Sequence, residues 1–386
     1  MSNDWQDTLD FARNLRHELH RHPELSWQEQ ATAKRIRDIL DDLNIRWRRC
    51  ADTGTVALIN ESGTTPAIAL RADIDALPII ENSGATWASD HPGCMHACGH
   101  DGHTAALIAT AKWLKLHESD LQRQVVLIFQ PAEEGGHGAR EMIAAGALEG
   151  VGEIYGWHNW PALPYGTMAC PDDLVMCGNG TFSIDIKGRG GHASQPEVCD
   201  DVVLAGAAIV QALQQIVSRR LAPQNNAVIS ITQFNAGSAP TVMADSAKIQ
   251  GSIRIPDEPT REQINALITD TAKHTAAAYN TECTVIHTPR YQATINHPLQ
   301  ATNAREVWQD IYGRSAMEHG QKMPVMASED FSYYLREIPG AFALIGSDEG
   351  KHTPHPCHSP HYDFNDRLIE DVCRWFCRLT GMRTPP

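Results

Sequence analysis

The run Val125-Val-Leu-Ile-Phe-Gln-Pro-Ala-Glu-Glu-Gly135 ends an apolar stretch on two adjacent carboxylates, Glu133 and Glu134, downstream of Met95-His-Ala-Cys-Gly-His-Asp-Gly-His103. Together these segments offer a thiol, several imidazoles and a carboxylate pair. That donor set suits a borderline divalent cation such as zinc, manganese or nickel. One glutamate can ligate a cation while its neighbour takes the proton of an attacking water, which is the chemistry of a metallohydrolase. In Cys98-Gly99-His100 the glycine opens backbone angles closed to other residues, so two donors one position apart can turn toward one point. Taken alone, the tripeptide fits a buried cysteine beside a surface histidine better than a pair of ligands. Similar groups recur at strand ends, His158 among them, and this recurrence favours ligation. Near the C-terminus His352, His355, His358 and His361 crowd together, and chemistry alone does not choose among them.

The surrounding pattern must position these groups. Helical periodicity is expected over 5–20, 29–43 and 103–117, with apolar strands at 54–59, 67–70, 125–130 and 153–157. Strands alternating with helices predict an α/β sheet covered on both faces. Such sheets hold ligands beyond the carboxyl ends of their strands, where Glu133, Glu134 and His158 fall. From about Cys177 the order becomes strand (181–187), helix (200–219), two strands (227–234 and 247–254), helix (259–279) and strand (282–287). This β-α-β-β-α-β order is that of ferredoxin-like domains. It predicts an inserted domain at 178–290 within a discontinuous domain of 1–177 and 291–386, the latter carrying a helix near 303–312, a strand at 341–345 and a last helix at 366–379.

Composition narrows the function classes. A chain of 386 residues with 42% apolar content has material for two cores. Its net charge of -15 argues against nucleic acid as a partner. No apolar run approaches membrane-spanning length, and Met1-Ser-Asn-Asp-Trp-Gln-Asp7 has no signal-peptide character. A cytoplasmic protein is expected. The ten cysteines lack a framework spacing and read as mostly reduced and buried. Cys94 and Cys98 lack the spacing of a redox pair. His17, His20 and His22 read as structural groups at a helix end. Asp73 and Asp75 read either as acceptors orienting metal-bound imidazoles or as fixtures of the turn before Pro78.

The runs Leu70-Arg-Ala-Asp-Ile-Asp-Ala-Leu-Pro78, Met95 to His103, Gln130-Pro-Ala-Glu-Glu-Gly135, Gly191-His-Ala-Ser194, Ala327-Ser-Glu-Asp-Phe331 and His358-Ser-Pro360 resemble, in order and across nearly the whole chain, the amidohydrolase branch of the dinuclear aminoacylase and carboxypeptidase family. That branch includes hippurate hydrolases, N-acyl-amino-acid deacetylases and auxin-conjugate hydrolases. The resemblance implies a zinc-peptidase-like catalytic domain, with a mixed sheet flanked by helices, and an inserted ferredoxin-like lid and dimerisation domain. It implies Cys98, His100, Glu134, His158 and His358 as ligands of two divalent ions (manganese, zinc, nickel or cobalt), and Glu133 as general base. It leaves open which ligand bridges the ions.

The same resemblance implies that His192 steadies the oxyanion, reaching the neighbouring subunit's site, and that Arg254 meets the substrate carboxylate. As a strand-end residue Arg254 reads equally as an exposed charge. It also implies a homodimer or higher homo-oligomer. Two departures bear on specificity. Thr241 stands where many relatives have Asn, and Glu197 follows Pro196 where relatives often have His. Facing the cleft, Glu197 would favour an N-acetyl diamino acid such as N-acetyl-diaminobutyrate. The expected function is hydrolysis of a small-molecule N-acyl amino acid. A hippurate-hydrolase-like or dipeptidase activity is the alternative enzyme. A catalytically idle sensor of metal or ligand is the alternative of another class, against which the presence of Glu133 argues.

Overall fold

A computed structural model describes residues 2–63, 66–318, 320–350 and 355–386. Its packing divides the chain into two compact units. One comprises Met1–Val175, Ile295–Met323 and Asp330–Pro386; the other comprises Met176–Thr294 and Pro324–Glu329.

The first unit is built on a seven-stranded mixed sheet, in spatial order Arg46–Arg49, Thr55–Ile59, Val125–Gln130, Ala67–Asp73, Val151–Pro164, Gly340–Asp348 and Met168–Ala169. The four strands from Val125–Gln130 through Gly340–Asp348 run parallel. The outer pairings on either side are antiparallel. Every residue of Ala67–Asp73 and Val125–Gln130 is buried, as a parallel strand covered on both faces requires. Leu9, Leu107, Trp308 and Phe376, from helices Ser2–Arg21, His100–Leu116, Pro298–Tyr312 and Arg367–Leu379, join its core. The expected mixed α/β sheet flanked by helices is present.

Sequence periodicity missed the edge strand Arg46–Arg49 and the short helix Gly138–Ala144. It also placed the start of the third long helix at His103, whereas the helix begins at His100. That helix is buried almost all round, so His100, Asp101 and His103 occupy interior positions that hydropathy does not mark as helical.

The second unit is a four-stranded antiparallel sheet in the order Val228–Ala236, Ser246–Ile255, Gly178–Lys187, Glu282–Pro289. This is the ferredoxin-like arrangement of the β-α-β-β-α-β chain order. Residues alternate along Gly178–Lys187, and Phe182, Ile184 and Ile186 face a core shared with Ile209 and Ile264 of the two helices. Asp201 caps Val202–Leu213 by accepting from the Leu204 amide (2.9 Å), and Asp257 caps Glu258–Ala278 through Thr260 (2.8 Å). Among the described residues no helix is long and apolar enough to cross a membrane.

Candidate metal centre

Six of the expected site residues converge in the first unit, over the carboxyl ends of its parallel strands. Glu133 and Glu134 follow Val125–Gln130, and His158 projects from Val151–Pro164. Cys98 and His100 flank Gly99, whose φ of 93° is open to glycine; a Cβ there would lie 2.3 Å from Asn159 Oδ1. His358, itself at φ 68°, is drawn in by its amide, which donates to the Ala97 carbonyl at 2.8 Å. The His361 amide instead donates to Ser359 Oγ (3.2 Å), and the His361 ring lies tilted against that of His355 at 5.1 Å. His352 lies outside the described residues.

Two donor clusters overlap at one sulfur. Cys98, His100 and His158 form the first and Cys98, Glu134 and His358 the second, with the donor atoms of each within 4.8 Å of one another. Cys98 Sγ lies 3.2 Å from His158 Nε2 and 3.3 Å from His358 Nε2, and His358 Nε2 lies 3.0 Å from Glu134 Oε1. Ligands on one tetrahedral zinc, with Zn–S near 2.3 Å and Zn–N near 2.0 Å, stand about 3.5 Å apart. His100, Glu133 and Glu134 make a further cluster.

The other ends of the imidazoles are already held. His100 Nδ1 pairs with the Asp75 carbonyl (2.9 Å) and Oδ1 (3.2 Å), while its buried Nε2 makes no hydrogen bond. His158 Nδ1 donates to its neighbour's carbonyl, Asn159 O, at 2.6 Å. Each ring thus turns Nε2 toward the clusters, the arrangement that outer partners impose on metal-ligating histidines. Asp75 also accepts from Ser26 Oγ (2.7 Å) and the Glu134 amide (3.0 Å). Of its two sequence readings, Asp75 fits the one that orients a donor imidazole. Asp73 instead pairs with Arg71 (2.7 Å) and His103 (2.6 Å).

The electrostatics suit positive charge. Burial alone would depress His100, but Asp73 and Asp75 outweigh it and push its pKa up to about 10. Burial and the adjacent His103 hold His158 well below the usual imidazole range, leaving a neutral ring. Hydrogen bonding to Cys357, then burial and the charge of Glu134, push the Cys98 thiol well above its ordinary value. A thiol in that setting becomes a thiolate where a cation compensates. The orphaned His100 nitrogen, the neutral His158 ring and the mixed sulfur, nitrogen and oxygen donors all fit divalent ions.

The remaining candidates lie in the second unit. His192 is exposed on the two-residue strand Gly191–His192, which pairs with Val242–Met243; the Ala193 amide donates to the Thr241 carbonyl at 3.1 Å. His192 Nδ1 accepts from the Ser194 amide (3.1 Å) and contacts Ser194 Oγ (2.8 Å). Glu197 is exposed in the turn Pro196–Val198. Arg254 is half-buried inside the strand Ser246–Ile255, where it pairs with Val228 and Asn179. It is neither exposed nor close to His192. Arg254 sits at the Asn179 end of the central strand, and the His192 ribbon lies beyond Lys187 at the other end.

Sequence reasoning missed the supporting residues Glu29, Arg71 and Asn159, and it marked Glu329 and Asp330 only as part of the family pattern, without a role. Glu29 is buried and accepts from the Ala132 amide at 2.9 Å, just before the base candidate, where Ala132 has φ 53°. Asn159 Oδ1 meets His103 Nε2 at 2.7 Å. The arginine of Ala67-Ile-Ala-Leu-Arg-Ala-Asp73 was the available signal, because a charge in an all-buried strand requires a partner.

Two overlapping donor clusters beside a further buried carboxylate, Glu133, over an α/β sheet, describe the class of metal-dependent hydrolases with paired ions. The chain belongs to the family described as Peptidase family M20/M25/M40, whose profile matches residues 69–381, and it is a metal-dependent amidohydrolase of that family. It is 37% identical to an IAA-amino acid hydrolase of Arabidopsis thaliana over 371 residues, covering 94% of this chain and 84% of the relative. It is 38% identical over 368 residues to an N-acetylcysteine deacetylase of Bacillus subtilis, covering 95% of each. A Bacillus subtilis crystal structure described as a dinuclear metal binding peptidase of the M20 family matches with a TM-score of 0.85 at 33% identity, over 97% of this chain and 98% of that one.

Proposed function

We propose that the chain hydrolyses the amide bond of an N-acyl amino acid, removing an acetyl group, with Cys98, His100, Glu134, His158 and His358 holding two divalent ions and Glu133 as general base. The observation that carries this reading is Glu133 itself, a buried carboxylate beside the two clusters that share Cys98. Bound there, a pair of divalent ions would lower the pKa of water toward about 7 and polarise the amide carbonyl. Glu133 accepts the water's proton and returns it to the departing amine. Its Oε1 accepts from the Asp330 amide at 3.3 Å, which fixes the carboxylate's direction. Relatives named for cleaving N-acetylcysteine and IAA-amino acids support the substrate class.

We assign His192 to the oxyanion, Arg254 to the substrate carboxylate, Thr241 to substrate binding through its short hydroxyl, and Glu197 to a second, cationic amino group on the substrate. Asn179 to Lys187 spans eight steps of strand, about 26 Å at 3.3 Å per residue. A dipeptide-sized substrate extends roughly 7 Å. Arg254 and His192 of one chain therefore stand toward opposite ends of this strand, a separation that supports a homodimer in which each site receives His192 from the partner. Val203 and Leu204 of the helix Val202–Leu213, with Val228 and Phe234 of the outermost strand Val228–Ala236, are exposed. An apolar edge of this kind suits pairing with a second copy. All ten cysteines are free thiols, which supports a reducing, cytoplasmic setting.

Amine release by metal-reconstituted protein from N-acetyl, N-benzoyl and N-acetyl-diamino acids, with Glu133→Ala in parallel, tests the reading. Turnover of N-acetyl substrates, falling about 100- to 10,000-fold in Glu133→Ala with metal retained, is the expected result. Preference for benzoyl substrates would make the enzyme hippurate-hydrolase-like. Inactivity on the whole panel would favour a sensor.

A further inference from the structure

Four buried side chains behind the base form a second polar cluster. Arg71 is buried within Ala67–Asp73 and spreads its three nitrogens over three acceptors. Nε donates to Gln130 Oε1 at 2.8 Å, Nη1 to Asp73 Oδ2 at 2.7 Å and Nη2 to Asp330 Oδ1 at 3.1 Å. The Asp330 carboxylate is gripped further by Gln130 Nε2, at 2.9 and 3.0 Å to its two oxygens, and by the Ala139 amide at 2.9 Å. Arg71, Asp73, Gln130 and Asp330 are each at most 1% exposed.

Stability alone is a poor explanation of this arrangement. Each buried charge costs several kcal/mol in lost hydration, and apolar replacements of buried ion pairs are often as stable. What the cluster does supply is geometry at both ends. The Asp330 side chain immobilises its own backbone, whose N–H donates to Glu133 Oε1 at 3.3 Å. Asp73 meets His103 through Oδ1 at 2.6 Å, and its Oδ2 lies 3.6 Å from His100 Nε2. One planar guanidinium thus spans the anchor of the carboxylate and a carboxylate beside a donor imidazole.

We propose that Arg71 and Asp330 are positioning residues for the reaction, holding Glu133 at a fixed distance from the ligand imidazoles. This rests on the reading of Glu133 as base. Arginine is needed because its rigid fork reaches three acceptors in one plane, whereas a lysine ammonium is a point charge on a flexible stem. Displacing a reacting group by about 1 Å costs on the order of 100-fold in rate.

The test uses full-length enzyme reconstituted with manganese or zinc, in the variants Asp330→Asn, Arg71→Lys and Glu133→Ala and the double variant Asp330→Asn/Glu133→Ala. Steady-state kinetics are read alongside metal content by elemental analysis and the unfolding midpoint. The expected result is a fall in kcat of about 10- to 100-fold for each of Asp330→Asn and Arg71→Lys, with KM within threefold and metal stoichiometry unchanged. Once the base is gone its position no longer matters, so the double variant should be no slower than Glu133→Ala. Independent losses that multiply in the double variant, or kcat falling only in step with lost metal, would overturn the proposal and leave a purely structural cluster. If Asp330→Asn does not fold, Arg71→Lys and its own double variant Arg71→Lys/Glu133→Ala carry the same comparison. Full turnover by Glu133→Ala would remove the base assignment itself. Undiminished kcat in folded Asp330→Asn, beside a crippled Glu133→Ala, would remove only the positioning role.

Discussion

The two units treat most of their candidate functional side chains in opposite ways, although His358 of the first unit is exposed like those of the second. In the first, Cys98, His100, Glu133 and His158 are each at most 8% exposed, and the imidazoles and Glu133 are held by defined partners. In the second, His192, Thr241 and Glu197 are exposed, and local contacts such as Ser194 with His192 are what hold them. A low-dielectric, preorganised centre acts strongly on charge that develops during reaction, whereas exposed groups gain little until water is displaced. The contrast accords with the proposed roles, in which the first unit carries the chemical step and the second contributes to substrate selection.

Three substitutions would break or sharpen that contrast. The largest effect is expected for His158→Ala, which removes a neutral ring from the first donor cluster. Elemental analysis should show metal affinity falling more than about 100-fold, beyond the loss of an outer partner, and activity should disappear with it. For His192→Ala, kcat should fall about 100- to 1,000-fold, as for loss of an oxyanion donor, while metal content and unfolding midpoint stay at wild-type values. Metal loss in that variant would show that the two units are not divided in this way. The smallest change belongs to Glu197→Gln. A solvated charge contributes about 0–1 kcal/mol, so preference for cationic over neutral N-acetyl substrates should shift by less than tenfold, read as a ratio of kcat/KM. An unchanged ratio would remove Glu197 from substrate selection.

The apolar strands, the ferredoxin-like order and the candidates Cys98, His100, Glu133, Glu134 and His158 were legible in the sequence because each depends on a local signal, whereas His358 was singled out only by the family resemblance. Apolar runs mark buried strands, and the donors sit in short motifs. Local signal does not reach pairings over long separations. Arg71 and Asp330 stand 259 positions apart, and neither segment shows that the two meet. Among the C-terminal histidines, His358 is distinguished by its backbone bond to Ala97, a feature of the fold that side-chain chemistry does not encode. The strand Arg46–Arg49 escaped notice because Arg-Trp-Arg-Arg lacks apolar alternation. It forms through antiparallel pairing with Thr55–Ile59 across a turn in which Ala51 and Asp52 both take positive φ.

Cys98 and His358 touch across 260 positions of chain. During synthesis at about 5 to 20 residues per second, that separation corresponds to roughly 13 to 50 s. For the last part of this interval, from His158 onward and roughly 10 to 40 s long, Cys98, His100, Glu134 and His158 exist without the histidine that closes the second cluster. A nascent chain therefore carries an incomplete donor set around the Cys98 thiol, and the proposed centre is complete only once His358 has been added.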